Sequence, residues 1–464
     1  MDENSKLDVD LIVVEDEDRV DLMVDLRAAE AAVGDSVGAQ TIVVVLDRSG
    51  SMAGPPLAAA CHALSTLVTR LRPQDSFGLV VFDDTADPVV PTAPVGQLGV
   101  AQVQAAIHGI GPGSTTDLSA GYLLGLSEAA RAMGPDGATV VLVSDGHANA
   151  GERSSDRLGE LARARADKGI ATTTVGLGLG YDDELLVAMA RGGNGNHVFA
   201  DGLDDLVPAL TDQVAGLLTK TVTAVSATIR PTECRPSGIR VVHDYPTALL
   251  GDQLLVHLGD LTGGESRKLL VEFDIPQAAA LGVKTVAEVI VRYTAVPELE
   301  EHALTLPVTV NLVPGEQPPG GLASGAQTPD GQVPGRLTAE ALYAERSLQQ
   351  AQSGKRAAID ALRDGRSEEA AELLGAASGA LSSAIAAVPE ELREPLEEDM
   401  AELGRLESLA RSQQVERTVK SAYESMTSIA RSRSVRHRRS RRTYMDERAD
   451  SRGRPSTESG TQRS

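Results

Sequence analysis

Apolar and polar residues alternate along the first thirty positions of the chain, on both sides of an acidic run at residues 15–18. The apolar positions are Leu7, Val9, Leu11 and Val13 before the run, and Val20, Leu22, Val24 and Leu26 after it. A period of two is typical of a β-strand with one buried face, so residues 1–37 are predicted to contain a β-hairpin. Because a lone hairpin is only marginally stable in water, we expect it to join a larger sheet.

The pattern changes near residue 38, where short apolar runs begin to alternate with amphipathic stretches of helical length. The runs predict strands at 41–46, 77–82, 138–143, 171–177 and 197–199. The intervening stretches predict helices at 56–71, 100–109, 117–133, 155–168, 182–191 and 203–219. This alternation predicts an α/β domain over residues 38–220, with a doubly wound and mostly parallel sheet that helices cover on both faces. The proline-rich segment 86–95 is predicted to be an edge strand or a loop.

Residues 221–314 return to apolar runs with no helical stretch between them. The six runs lie at 222–229, 239–243, 253–258, 268–273, 286–293 and 304–312. Short strands separated by turn residues predict a β-sandwich. The N-terminal hairpin is expected to complete this sandwich, which makes the α/β domain an insertion within a β-domain.

The remainder of the chain has a different composition. Residues 315–336 are rich in Pro and Gly, which is typical of a linker. Stretches rich in Ala, Leu and Glu then predict a small helical bundle over residues 337–430, with helices at 337–362, 368–388 and 395–429. Residues 357–374 resemble one helix-turn-helix unit of the tetratricopeptide type, but a single copy is weak evidence and a plain helical hairpin is the favoured interpretation. The tail, residues 431–464, is predicted to be basic and disordered.

The charge of the 464-residue chain is strongly negative and unevenly distributed. The formal net charge is −23 at pH 7, which argues against nucleic acid binding by the body of the protein. Residues 431–442 hold seven arginines and no acid, and this segment could contact an acidic protein surface, nucleic acid or lipid, or remain solvated. Aromatic residues make up only 2% of the chain, so few side chains could stack on bases.

The cysteine content and the length of the apolar runs bear on location. Cys61 and Cys234 are too few for a disulfide framework or a thiolate zinc cluster. The longest apolar runs are far shorter than the roughly 18–20 residues of a membrane span, and the N-terminal residues lack the order of a signal peptide. These features predict a cytoplasmic protein without a transmembrane segment.

Oxygen-bearing side chains occur in three loops that the topology places at one edge of the predicted α/β sheet. The first strand of this sheet ends in Asp47, and Ser49 and Ser51 follow at alternate positions. Thr116 stands shortly before a predicted helix, and Asp145 follows a predicted strand. Ligands of doubly wound sheets bind beyond the carboxyl ends of the strands. Two carboxylates and three hydroxyls, with no His or Cys, suit Mg²⁺, with Mn²⁺ or Ca²⁺ as alternatives, and disfavour zinc.

This set resembles the metal-ion-dependent adhesion site (MIDAS) of von Willebrand factor A (VWA) domains of the bacterial type. The family pattern is Asp-x-Ser-x-Ser, then a Thr, then an Asp, and we assign its Thr to Thr116 rather than Thr115. The resemblance implies direct coordination of Mg²⁺ by three hydroxyl groups, those of Ser49, Ser51 and Thr116. It implies coordination largely through bound water for two carboxylates, those of Asp47 and Asp145. It also implies a coordination position that a partner protein fills with an Asp or Glu.

The residues and the resemblance together predict a non-enzymatic, Mg²⁺-dependent protein-interaction module in the bacterial cytoplasm, with the helical region as a second interaction surface. The resemblance suggests partners such as AAA+ ATPases of the MoxR type. A metal-dependent hydrolase or phosphatase with Asp47 as nucleophile is one alternative. Such chemistry needs a second carboxylate two residues on, or a basic residue to hold the transferred phosphate, and position 49 is Ser. A structural scaffold whose metal only stabilises loops is another. His147 and Asn149 are interpreted as parts of a solvated loop.

Overall fold

The structure is a computed structural model that describes residues 6–16, 19–29, 38–145, 148–200, 205–206, 220–232, 236–275, 282–296, 300–312 and 338–430. Some predictions lie outside these residues. They are nearly all of the helix at 203–219, His147, Cys234, the linker at 315–336 and the basic tail at 431–464.

The chain begins with a hairpin and then enters an α/β domain. The hairpin strands are β1 Leu7–Asp16 and β2 Arg19–Ala28. The strands of the α/β domain are β3 Thr41–Asp47, β4 Ser76–Phe82, β5 Ala86–Pro94, β6 Ala138–Ser144, β7 Ile170–Leu177 and β8 Asn194–Ala200. Its helices are α1 Pro55–Val68, α2 Val95–Leu98, α3 Val100–His108, α4 Leu118–Ala132, α5 Ser155–Ala166 and α6 Asp183–Gly192. The predicted mostly parallel α/β fold is therefore confirmed.

The sheet of this domain runs in the order β5-β4-β3-β6-β7-β8, and only the edge strand β5 is antiparallel to its neighbour. Every residue of the central strand β3 is buried. Successive side chains of a strand point to opposite faces, so Ile42 and Val44 pack with α1 and α3, while Val43 and Val45 pack with α4, α5 and α6. The continuous apolar run of β3 follows from this double coverage.

Residues beyond the α/β domain form strands of two antiparallel sheets. These strands are β9 Lys220–Pro231, β10 Gly238–Val241, β11 Thr247–Leu250, β12 Gln253–Thr262, β13 Ser266–Asp274, β14 Gly282–Ala295 and β15 Glu300–Leu312. Among the described residues, one sheet has the order β1-β2-β13-β10 and the other β11-β12-β9-β14-β15. The two sheets share one apolar core, to which Leu22, Phe273 and Val289 belong. The N-terminal hairpin thus pairs through β2 with β13, which follows the α/β domain in sequence.

Strand β11 is an element that the apolar pattern does not predict. It has only four residues at a sheet edge, and its leucines are exposed, Leu249 to 77% and Leu250 to 56%. A strand without a buried stripe has no alternating signal.

The C-terminal described residues form four helices, α7 Ala339–Arg363, α8 Ser367–Ala387, α9 Arg393–Arg411 and α10 Val415–Ala430. The prediction of one helix over 395–429 is wrong, because the chain breaks at residues 412–414 between α9 and α10. Gln413 has a positive φ of 58° there. Glycine is the usual residue for this conformation, but position 413 is Gln. The sequence therefore contains no Gly or Pro that would indicate the break.

Helix α8 is, among the described residues, the one helix whose length and composition would allow it to cross a membrane. It packs in the bundle between α7 and α9, and Leu374 and Leu381 lie in the bundle core. The apolar character of its remaining surface comes mostly from alanine and glycine, which are small residues.

The bundle is attached to the four-stranded sheet through α7. Leu342 packs with Met23 and Leu270 of that sheet. Beside this contact, the buried carboxylate of Glu345 accepts a hydrogen bond from His243 Nε2 at 3.0 Å and lies 3.2 Å from Lys268 Nζ. These partners hold the pKa of Glu345 well below its usual range against the opposing effect of burial. The interface therefore contains a charged group that both parts of the molecule are needed to satisfy.

A buried histidine joins β7, β8 and the segment before α6. Thr174 Oγ1 donates to the carbonyl of Leu186 at 3.0 Å, so it accepts from His197 Nδ1 at 2.9 Å. Tyr181 Oη then donates to His197 Nε2 at 3.1 Å. Burial, together with the nearby charge of Lys420, lowers the pKa of His197 to about 3. The ring is therefore neutral at physiological pH.

This histidine should make the protein acid-sensitive. Because its folded-state pKa lies below the unfolded value of 6.5, its contribution to stability is present above pH 6.5 and is lost as the pH falls towards 3. Between pH 7.5 and 5.0 the loss should be about 2 kcal/mol. Chemical unfolding of wild type and His197→Asn at both pH values measures this loss of unfolding free energy. The variant has no imidazole to protonate, so it should not show the loss. Equal pH dependence in the two proteins would contradict the assignment.

Candidate functional site

Asp47 lies at the carboxyl end of the central strand and is fully buried. Its Oδ1 accepts a hydrogen bond from the backbone N–H of Ser49 at 2.8 Å. Its Oδ2 accepts from Ser144 Oγ at 2.6 Å. The parallel register of β3 and β6 explains the second contact, because Leu46 is aligned with Val143 and the following residues become neighbours.

Ser49, Ser51 and Asp145 continue from Asp47 as one chain of contacts. Ser49 Oγ lies 3.1 Å from Ser51 Oγ, and Ser51 Oγ donates to Asp145 Oδ1 at 2.8 Å. Residues 50–52 form a short 3₁₀ turn directly after β3, which brings Ser51 to the end of β6. Four of the five predicted site residues are therefore connected across two loops.

Thr116 belongs to a third loop that is hydrogen-bonded to the first. Gly50 N–H donates to the carbonyl of Ser114 at 2.9 Å, and Gly113 N–H donates to the carbonyl of Arg48 at 2.6 Å. Thr116 is buried whereas Thr115 is exposed. The third loop is therefore connected to the first through the backbone, and this connection places Thr116 at the same edge of the sheet.

Asn149 is interpreted from the sequence as part of a solvated loop, but the structure gives it a specific contact. Its Oδ1 accepts from the N–H of Thr116 at 2.8 Å, and its own N–H donates to the Thr116 carbonyl at 3.1 Å. Ser144 is a second residue that holds the site and that the motif does not include. The only local signal for the contact between Asn149 and Thr116 is the position of Asn149, four residues after Asp145, and this signal is weak.

The two carboxylates of this edge lie in an unfavourable electrostatic environment. Burial raises the pKa of Asp47 above 3.8, and hydrogen bonds from Ser144 and Ser49 offset only part of that rise. Burial and the nearby charge of Asp47 likewise raise the pKa of Asp145. No basic side chain is among the main influences on either group. A cation would relieve both penalties, so the donor set fits a hard dication.

Within the described parts of the chain, no group of three or more His, Cys, Asp or Glu side chains forms a metal cluster. A cation at this edge would therefore rely on hydroxyl and water oxygens as well as carboxylates. Such a donor set suits Mg²⁺ better than Zn²⁺.

The comparison with protein families covers this same region. Residues 41–213 match the family model for the von Willebrand factor type A domain. This part of the chain is a VWA domain. The predicted resemblance is confirmed for the domain, and VWA domains are protein-interaction modules. The occupation of the MIDAS residues by a metal stays a prediction.

Curated relatives are similar to this chain over about half of its length or more. The uncharacterized protein YfbK of Escherichia coli is 26% identical over 272 residues, which are 56% of this chain and 46% of YfbK. The uncharacterized protein sll0103 of Synechocystis is 26% identical over 310 residues, 63% of this chain and 72% of that protein. The match therefore spans less than half of YfbK.

Solved structures share the wider architecture around the VWA domain. The ArnB paralog VWA2 of Sulfolobus acidocaldarius has a TM-score of 0.59 at 17% identity and covers 91% of this chain and 98% of its own. The von Willebrand factor type A protein of Catenulispora acidiphila has a TM-score of 0.61 at 15% identity, with coverages of 83% and 88%. At these identities the likeness concerns the fold alone.

Proposed function

We propose that the VWA domain captures an acidic side chain of a partner protein through Mg²⁺ held by Asp47, Ser49, Ser51, Thr116 and Asp145. The observation that carries the proposal is the contact chain from the buried Asp47 to the half-buried Asp145, which gathers two carboxylates with no basic side chain among the main influences on either. Mn²⁺ and Ca²⁺ have the same preference for oxygen and are the alternative ions.

The proposed ligands explain why the site would bind a further acid. Hydroxyl oxygens are neutral, so they leave most of the charge of a dication unneutralised. Both oxygens of Asp47 already accept hydrogen bonds from the protein, which favours an indirect role through water. A carboxylate from a partner would then supply the missing negative charge. Direct coordination is barely screened by salt, so the net charge of −23 should slow association more than it weakens the complex.

A hydrolase that uses Asp47 as nucleophile is disfavoured by the same contacts. The side chain is fully buried, and hydrogen bonds from Ser49 and Ser144 occupy both of its oxygens. A nucleophile needs a free oxygen directed at its substrate. The alternative is a scaffold whose metal only stabilises loops. Measurement of both Tm and partner capture in EDTA, described below, separates it from the proposal.

The partner class is part of the proposal. An AAA+ ATPase of the MoxR type, in the bacterial cytoplasm, is the partner that the family resemblance suggests. Mass spectrometry of the captured protein tests whether the partner belongs to this class of ATPase. Replacement of the partner's acidic residues one at a time then tests which of them is bound.

The first experiment compares the full-length protein with Thr116→Ala and with the control variant Asp252→Ala. Asp252 is an exposed acid in the turn between β11 and β12, remote in sequence from the site loops. Titration calorimetry with Mg²⁺ or Mn²⁺ should show one site in wild type and in Asp252→Ala. Loss of the Thr116 hydroxyl should weaken binding about 10- to 100-fold, as for other interactions that support a metal site.

The same proteins serve for partner capture with Mg²⁺ and with EDTA. Wild type and Asp252→Ala should retain a specific protein only with Mg²⁺, and Thr116→Ala should retain little. If the amount of captured protein is changed neither by EDTA nor by Thr116→Ala, the proposal is refuted. A lower Tm in EDTA with unchanged capture would instead indicate the scaffold.

A further inference from the structure

The loop between β7 and α6, residues 178–182, lies beside the proposed metal site. A Cβ added to Gly180 would lie 3.0 Å from the carbonyl oxygen of Asp145, so the two backbones are in close contact. Asp145 in turn accepts the hydrogen bond from Ser51. The position of this β7–α6 loop therefore limits the position of one proposed site residue.

Tyr181 fixes the far end of this loop. Its ring packs against the backbone of Gly176 in β7, where a Cβ would come within 2.2 Å of the ring. Its hydroxyl donates to His197 on β8. The side chain is almost fully buried, so the loop is anchored through one aromatic residue.

Lys420 of the C-terminal helix α10 also packs on the ring of Tyr181. Its Nζ lies 3.7 Å from the centre of the ring and donates to the Tyr181 carbonyl at 2.8 Å. Burial lowers the pKa of Lys420, which is only 4% exposed, and the nearby charges of Asp183, Glu416 and Asp182 offset only part of that shift. The contact combines a hydrogen bond to the loop backbone with a cation–π interaction, and both are strengthened by burial.

The bundle contacts the same region a second time through α7. Arg363, at the end of that helix, lies 3.2 Å from Glu184 and 3.5 Å from Asp183. Its guanidinium also lies over the ring of Tyr423 on α10, 5.5 Å from the centre. Two helices of the bundle therefore hold the start of α6 and the loop before it.

We propose that Lys420 is a positioning residue for the metal site: it holds the β7–α6 loop against Asp145 and so couples docking of the C-terminal helices to the affinity of the site for its cation. The inference rests on the metal-binding part of the proposed function. The path consists of three contacts and one peptide link. Lys420 contacts Tyr181, Tyr181 follows Gly180 in the chain, Gly180 contacts Asp145, and Asp145 contacts Ser51.

The coupling must act in both directions. If docking of the helices favours metal binding, then metal binding must favour docking by the same factor. A partner that pulled on the C-terminal helices would thereby lower the metal affinity of the VWA domain, and hence its hold on an acidic ligand.

The test measures Mn²⁺ affinity by calorimetry in the full-length protein and hydrogen exchange of the amides of residues 178–185. Lys420→Met keeps most of the side-chain length and removes the charge and the hydrogen bond. It should weaken Mn²⁺ binding about 3- to 10-fold, which lies within the effects of mutations that alter a site without contacting its ligand. Exchange of the loop amides should become faster in the variant, and saturating Mn²⁺ should slow it in wild type.

Two further variants complete the design. Arg411→Met removes an exposed charge of α9 that pairs with Glu407 on its own helix, and it should change neither readout. Arg363 is partly exposed, and Arg363→Met leaves Lys420 in place, so this variant keeps the test available if Lys420→Met does not fold. It should change both readouts in the same direction by a smaller factor.

The outcomes separate the two proposals. Wild type that binds no Mn²⁺, Mg²⁺ or Ca²⁺ refutes the proposed function itself. Wild type that binds Mn²⁺, with unchanged affinity in folded Lys420→Met and in Arg363→Met, refutes only the positioning role. A lower Tm with unchanged Mn²⁺ affinity also refutes that role, because a purely structural contact would change stability alone.

Discussion

Asp47→Asn should abolish Mg²⁺ binding and partner capture, and it should also raise the Tm of the metal-free protein. The side chain is fully buried, and burial together with the neighbouring charge of Asp83 raises its pKa. In wild type, stability is therefore lost as the pH rises from 3.8 through the raised folded-state pKa. The neutral asparagine avoids this loss and has nearly the same shape. We expect a rise of about 2–4 °C at pH 7.5, which corresponds to roughly 1 kcal/mol in a domain of this size.

Asp75→Asn is the matched control, because Asp75 is an equally buried aspartate of the same domain with the opposite environment. Arg72 Nη2 lies 2.7 Å from its Oδ1, and the backbone N–H of Gln40 donates to the same oxygen at 3.0 Å. These partners hold the pKa of Asp75 below its usual value although burial opposes them. Asp75→Asn should therefore lower the Tm and leave Mg²⁺ binding intact. A fall in Tm for both variants would mean that Asp47 is an ordinary structural residue.

Asp399→Leu should destabilise the C-terminal bundle by about 3–5 kcal/mol. Lys355 is completely buried between the helices, and its Nζ lies 2.5 Å from Asp399 Oδ1 and 2.8 Å from Ser425 Oγ. Removal of the aspartate leaves a buried positive charge that Ser425 cannot neutralise. Chemical unfolding followed by circular dichroism measures the effect in the full-length protein.

The double variant Lys355→Met with Asp399→Leu should recover most of this loss, because an apolar pair of similar volume does not need a counter-charge. Glu407→Ala provides the comparison on the surface, where the exposed pair with Arg411 should contribute less than about 0.5 kcal/mol. If the double variant is as unstable as Asp399→Leu, then the pair is held by packing rather than by charge.

Local patterns predict the elements of the α/β domain well, because burial on both faces makes each strand a continuous apolar run. Strands predicted at 41–46 and 138–143 correspond to β3 and β6, and their ends bring Asp47 beside Ser144. The same reasoning fails where an element has no buried face or no breaking residue, as in β11 and at Gln413. It also gives no reason to connect Asn149 with Thr116, since that contact depends on where two loops meet.

The sequence by itself determined which faces of the strands and helices are apolar and which loops carry oxygen ligands, since both are local properties of a few consecutive residues. Only the tertiary structure decided what covers those faces: that Lys420 lies on Tyr181, that His243 and Lys268 meet Glu345, and that β2 pairs with β13. The physical reason is that periodicity specifies the need for a buried contact but not the partner. A charged group in such a contact becomes stable only when residues from distant parts of the chain satisfy it together.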